Sequence, residues 1–131
     1  MPGLRTLTKL FDPVRIHVLF ASREYVSKDT VEMAVQVVTR DRFQILSATA
    51  ELVRNAGSKS EYVQSTKAFG GSRILRAGSE DSFSVDLPVG NLSPFDETVG
   101  RWKMRIRIVS ADRREYSCEN RIRIATRNPV Q

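Results

Sequence analysis

The feature that most constrains the fold is a two-residue alternation of apolar and polar side chains that recurs in short segments of the chain. In residues 14–20 the even-numbered positions are apolar, and in residues 31–37 the odd-numbered positions are apolar. A period of two places alternate side chains on opposite faces of a half-buried β-strand, and no stretch carries the apolar stripe of an amphipathic helix. The pattern therefore predicts an all-β protein.

Further segments of this kind, with polar turns between them, predict how many strands there are. Residues 43–53, 61–68, 72–76 and 83–87 are candidate strands, and two more follow near the C-terminus. In the first of these four, the alternation places Leu46 on the buried face together with the alanines that follow it. About seven or eight short strands, with turns roughly every 8–12 residues, are typical of a β-sandwich or a β-barrel.

Length and composition favour one domain. A chain of 131 residues with 40% hydrophobic residues can bury a core without disulfide or metal support. We expect residues 1–131 to form a single domain with its core at about residues 14–124. The single cysteine, Cys118, excludes an internal disulfide, and no apolar run resembles a signal peptide or a membrane span. A cytoplasmic location without a membrane span is expected.

The clearest hairpin lies between residues 102–109 and residues 115–124, joined by a short polar connection. The connection fixes a register in which the inner residues are paired as follows: Trp102 with Ile122, Met104 with Asn120, Ile106 with Cys118, and Ile108 with Tyr116. This inner face is apolar apart from the asparagine. Cys118 is therefore expected to be buried in the core, where a thiol behaves as a small hydrophobic group.

The outer face of this hairpin carries most of the excess charge. Residues 101–131 hold nine Lys and Arg against three Asp and Glu, whereas residues 1–100 hold twelve of each. In this register Glu119 lies opposite Arg105, and Lys103 faces Arg121, a pairing of like charges that is unfavourable by up to about 1 kcal/mol. An anionic partner would explain such a cluster, and so would a neighbouring acidic strand or simple solvation. The candidate binding residues are Arg101, Lys103, Arg105, Arg107, Arg121 and Arg123.

No set of residues forms a catalytic or metal-binding motif. The single histidine, His17, has no acid or nucleophile motif beside it, and the carboxylate pairs at 80–81 and 96–97 lack the spacing of a calcium loop. The sequence therefore predicts a non-enzymatic protein that uses no metal and no cofactor.

Six segments follow one another in a recognisable order: residues 28–31, 45–52, 75–78, 83–88, 94–95 and 100–106. Taken in this order, they resemble the N-terminal domain of arrestin-like proteins, including their bacterial sporulation-control relatives, and the resemblance covers roughly residues 14–124. It implies an immunoglobulin-like antiparallel β-sandwich that serves as an adaptor or scaffold. With 131 residues we expect one sandwich, whereas arrestin-like proteins carry a second one.

Two functions compete on this basis. A protein-interaction domain would dock a partner with an acidic surface on the basic face of the hairpin. The alternative is binding of nucleic acid or another polyanion through the same cations, which is weakened because no exposed aromatic residues are interleaved with them. Unpaired edge strands such as residues 14–20 also offer a route to a homo-oligomer.

Overall fold

The computed structural model describes residues 13–22, 24–56, 61–92 and 100–125, and in this part the chain is built of β-strands without a helix. No helix there could therefore cross a membrane. The predicted all-β class is confirmed. The strands are β1 (Val14–Phe20), β2 (Glu24–Val26), β3 (Thr30–Thr39), β4 (Phe43–Ala56), β5 (Glu61–Ala68), β6 (Arg73–Leu75), β7 (Glu80–Pro88), β8 (Gly100–Ser110) and β9 (Glu115–Ala125).

The strands form two sheets. The small sheet has the order β1-β3-β7, and the large sheet has the order β2-β9-β8-β4-β5, with β6 also pairing with β4. The paired strands run antiparallel except for β2 and β9, which run parallel. Strand β2 is the one that the sequence pattern missed. With three residues it shows no alternation, and its backbone is held by pairing with the end of β9.

The core lies between the facing sides of the two sheets. Strands β3 and β7 contribute it from the small sheet, and β4 and β8 from the centre of the large sheet. Burying one aliphatic side chain contributes about 1.5–3 kcal/mol, so the buried residues of β4 and β8 make these two central strands a stable platform. Fully buried core side chains include Val31, Val35, Val37, Leu52, Val85, Leu87, Met104, Ile106 and Ile108.

One strand departs from its predicted alternation. A β-bulge in β4 lies between Ile45 and Ser47 where this strand pairs with β8, and Leu46 is the extra residue. Two residues then oppose one on the partner strand, so the alternation shifts by one position. The prediction that Leu46 is buried is wrong, because the shift leaves its side chain 47% exposed.

The register predicted for the C-terminal hairpin is confirmed, including the pair of Ile106 and Cys118. The inner residues of β8 are fully buried, whereas those of β9, from Tyr116 to Ile122, are half-buried. Cys118 thus lies on the predicted face, but the prediction of a buried thiol is wrong. Over these residues β9 pairs with β8 on one side and with no described strand on the other, so its inner side chains lie at the rim of the core, where β1 of the small sheet also approaches β9.

Candidate functional site

The predicted binding residues whose side chains the structure describes lie on the outer face of the large sheet. The inner positions of β8 are buried, so the intervening residues project to the opposite face. Strand β9 adds cations to the same face because it pairs with β8 in register. Arg101 belongs to β8 and pairs with Asn55 of β4, but its side chain lies outside the described part of the structure. The described cations of this face are Lys103, Arg105, Arg107, Arg121 and Arg123.

Neighbouring strands bring carboxylates onto this surface. Strand β4 places Glu51 directly opposite Arg105, and β5 brings Glu61 to the same region. Strand β9 supplies Glu115 and Glu119. Three cations of β8 are therefore surrounded by four carboxylates, and we call these seven residues the ion network. The sheet therefore contains the neighbouring acidic strands, and these would explain the charge of the hairpin without a partner.

Arg105 lies at the centre of the ion network. Its Nε donates to Oε2 of Glu119 at 3.2 Å, its Nη2 donates to Glu61, and its Nη1 lies 3.8 Å from Oε1 of Glu51. The side chain is only 11% exposed. Three carboxylates thus hold one guanidinium in a fixed position, and part of its donor capacity is used within the sheet.

The two flanking cations extend the network along β8. Nζ of Lys103 lies 2.8 Å from Oε1 of Glu61 and 2.6 Å from Oε2 of Glu119. Nε of Arg107 lies 3.0 Å from Oε1 of Glu51 and 3.3 Å from Oε1 of Glu115. The contact with Glu51 is an ion pair without a directed hydrogen bond, since neither of these two atoms has a hydrogen-bond partner. The network therefore runs without a break from Glu115 to Glu61.

The pKa values of Glu61, Glu119 and Lys103 shift as mutual pairing requires. Hydrogen bonds from Arg105 and then from Lys103 lower the pKa of Glu61 to about 2. The pKa of Glu119 is also lowered, chiefly by its hydrogen bond with Lys103, and the pKa of Lys103 is raised, chiefly by Glu119. Opposite charges at hydrogen-bond distance favour the ionised form of both partners. All these groups are therefore charged at neutral pH.

The cations of β9 are placed differently. Nη1 of Arg123 lies 3.1 Å from Oε1 of Glu24 on β2, and this arginine side chain remains 79% exposed. Arg121 is exposed and makes no ion pair within the described residues. It faces Lys103 across the sheet, as the register predicts. Arg121 and Arg123 are thus the cations of this face that remain most available to a partner.

A shallow depression lies beside these residues. Its volume is about 310 Å³, and Lys103, Glu119 and Arg121 line it together with Asn55, Trp102 and Asn120. Val53, which pairs with Lys103 and Val63, is fully buried although it shares the outer face. Apolar stems of long charged side chains cover surface of this kind. The outer face is therefore a packed layer of its own.

Sequence reasoning missed Glu51 and Glu61 as members of this surface. Glu51 alternates with buried residues of β4, so its outward direction was readable. Its position beside Arg105 depends on the pairing of β4 with β8, two strands far apart in sequence. The pattern within one strand does not encode that pairing.

The described residues offer no catalytic assembly beside this surface. His17 is exposed on β1, in the small sheet. Within residues 13–22, 24–56, 61–92 and 100–125, no three His, Cys, Asp or Glu side chains are grouped so that they could hold a metal ion.

The described strands form two β-sheets, of three and six strands, which pack face to face around one core and define an arrestin-like, immunoglobulin-like β-sandwich. Among solved structures, the chain is similar to the crystal structure of Spo0M, a sporulation control protein from Bacillus subtilis, with a TM-score of 0.75 and 13% sequence identity. The match covers 89% of this chain and 51% of that chain, so this chain spans about half of its length. No protein-family model matches the sequence, and no curated protein does. The likeness confirms the predicted arrestin-like fold.

Proposed function

We propose that this chain is a non-catalytic adaptor or scaffold domain that binds a partner protein through the outer face of its large sheet. The observation that carries the proposal is the ion network, which fixes charges of both signs on a stable sheet. Such a surface offers a pattern of complementary charges, which favours specificity in protein association. The name of Spo0M as a sporulation control protein supports a regulatory role of this kind. We propose that the domain acts in the cytoplasm.

The same observation favours a protein partner over nucleic acid. A phosphate backbone presents negative charge alone, and it would meet the four carboxylates of the ion network as well as its three cations. Nucleic-acid binding would also need exposed aromatic rings among the cations. Tyr62 is 55% exposed, but it lies on β5, and the guanidinium of Arg54 is 5.3 Å from its ring. A protein partner can place acidic groups at Arg121 and Arg123 and basic groups near Glu115. We therefore propose a partner whose acidic patch docks at the β9 side of this face.

The experiment compares the protein with a variant of the surface and with a matched control. The variant is Arg107→Gln with Arg123→Gln, two cations of the outer face whose side chains are 43% and 79% exposed. The control is Arg15→Gln with Arg42→Gln, two exposed cations away from this face. All three proteins are first shown to be folded by circular dichroism. They are then immobilised and exposed to extract of the native organism, and retained proteins are quantified by mass spectrometry.

We expect at least one protein to be retained by the natural chain and by the control, with a loss of about tenfold or more for the surface variant, which corresponds to 1.4 kcal/mol. Equal retention by all three would contradict the proposed surface. Binding to labelled single- and double-stranded nucleic acid is measured in parallel at low and near-physiological salt. Tight binding with a steep salt dependence, lost in the surface variant alone, would establish the nucleic-acid function instead.

A further inference from the structure

On the side away from β8, strand β9 has an edge that no described strand occupies over most of its length. Residues 115–122 pair with β8 on one side, and β2 takes the other side only from residue 123 onward. No described strand pairs with residues 115–122 on that other side, so alternate backbone N–H and C=O groups there have no ladder partner among the described residues. We call residues 115–122 the free edge of β9. An edge of this length is a template for a further strand.

The free edge has charged side chains, at Glu115, Glu119 and Arg121, but it lacks other sequence features that protect an edge strand. It contains no proline, glycine or lysine, and its pairing with β8 runs without a bulge. The edge at β5 differs, because a bulge interrupts it and the side chains of Gln64 and Ser65 donate to the carbonyl groups of Val89 and Pro88. The inner side chains of β9 are also only half-buried, so an added strand would remove apolar surface from water.

We propose that a second copy of this chain pairs with the free edge of β9, antiparallel and about a two-fold axis at Cys118. This inference goes beyond the proposed binding of a partner protein. In this register Glu115 lies opposite Arg121 of the second copy, and the reverse pair forms by symmetry. Ser117 lies opposite Glu119, so no two like charges face each other on the outer side.

The charges of the strand favour this register. Arg121 is exposed and without an ion pair among the described residues, and pairing would give it a carboxylate. A register shifted by two residues, with the axis at Glu119, would place two carboxylates against each other. In the chosen register the paired stretch ends near Arg114, where β2 of the other copy occupies the edge. The register therefore uses nearly the whole free edge.

Strand β1 is an edge of the small sheet, and it fits self-pairing less well. Its outward positions are Arg15, His17 and Leu19, which offer no carboxylate to pair with the arginine of a second copy. Pairing through the free edge of β9 would give opposite charges at two symmetric places. It would also join the two large sheets into one continuous sheet.

The expected association is weak. About eight residues per copy contribute, fewer than the roughly 20–30 residues on each side of a standard interface. The protein is therefore measured by sedimentation velocity over a wide concentration range that extends to several hundred micromolar or about 1 mM. We expect the average mass to rise with concentration from that of the 14.8 kDa monomer toward that of a dimer.

Charge exchange tests the register. Glu115→Arg alone and Arg121→Glu alone each create two pairs of like charges, so each should weaken the dimer by about tenfold or more. A mixture of the two variants restores opposite charges at both places and should form the mixed dimer. Arg123→Glu is the control. Because Arg123 lies beside β2, outside the free edge, this substitution should leave association unchanged.

Cys118 reports on the axis of the dimer. Directly opposed residues of antiparallel strands have Cα atoms about 4.5–5.5 Å apart, within the range that a disulfide spans. Diamide, which takes up the two hydrogen atoms that two thiols release, should therefore link the natural chain into a dimer but leave Cys118→Ser unlinked. A protein that stays monomeric throughout, a dimer that is insensitive to the charge variants, or a dimer that diamide does not link would each overturn the proposal. These measurements use the purified chain alone, so their failure leaves the binding of a partner protein untouched.

Discussion

Replacing Arg105 with methionine should destabilise the fold, because the ion network stabilises the sheet from its outer side. The side chain is 11% exposed and contacts Glu51, Glu61 and Glu119. An exposed ion pair contributes about 0–1 kcal/mol, and breaking a fully buried one costs about 3–5 kcal/mol. Arg105 lies between these limits because two of its partners are more than a third exposed and Lys103 still neutralises them. We expect Arg105→Met to lower the free energy of unfolding by about 1–2 kcal/mol.

The matched control is Arg121→Met, on the same face and without an ion pair among the described residues. Its effect should stay within about 0.5 kcal/mol, as for ordinary surface substitutions. Both variants are compared with the natural chain by urea unfolding at pH 7, followed by fluorescence of Trp102 and by circular dichroism. The two signals must give the same midpoint for the two-state analysis to hold.

The pH dependence separates an ion pair from simple loss of packing. The folded pKa of Glu61 is about 2, below its ordinary value of 4.5, so its stabilising contribution is present above about pH 4.5 and is lost as the pH falls toward 2. In Arg105→Met the largest cause of this shift is gone, so the variant loses less stability than the natural chain over that window. The difference between the two proteins should therefore shrink as the pH falls. A difference that is constant with pH, or equal effects of Arg105→Met and Arg121→Met, would refute this account of the outer face.

Two further predictions concern the core and a turn. Ile106→Ala should cost about 2–5 kcal/mol because the side chain is fully buried, whereas Leu19→Ala, at a residue 59% exposed, should stay within about 0.5 kcal/mol; urea unfolding measures both. Gly70 and Gly71 both have positive φ, but only at Gly70 would a Cβ lie 2.9 Å from the ring of Phe83. Gly70→Ala should therefore lower the free energy of unfolding more than Gly71→Ala, by about 1 kcal/mol or more in urea unfolding, and equal effects would contradict the close contact.

Sequence alternation predicted the strands wherever burial depends on position within one strand. Residues 14–20 and 31–37 lie in β1 and β3, and the register of β8 with β9 follows from their short connection. Alternation failed at Leu46, where a bulge shifts the phase, and at β2, which is too short to alternate. Both features are stabilised by contacts with strands distant in sequence, which a local pattern does not contain.

The candidate site was predictable as a set of cations and unpredictable as a surface. The direction of Lys103, Arg105 and Arg107 followed from the alternation of β8. Their charge environment depends on β4 and β5, which bring Glu51 and Glu61 from distant parts of the sequence. Local patterns give the direction of a side chain, and the order of strands in the sheet gives its neighbours.

Because the cations of β8 are already paired within the sheet, the expected binding surface moves toward the β9 edge of the sheet. A cation that is already paired must exchange a carboxylate of its own chain for one of a partner, so the net gain is small, whereas an unpaired cation gains the whole interaction. Arg105 belongs to the first kind, and Arg121 belongs to the second among the described residues. Arg121 also lies on the free edge of β9, where backbone groups can accept a further strand. Charge and backbone therefore favour association at the same place, and substitutions at Arg121 should affect association more than substitutions at the better-ordered Arg105.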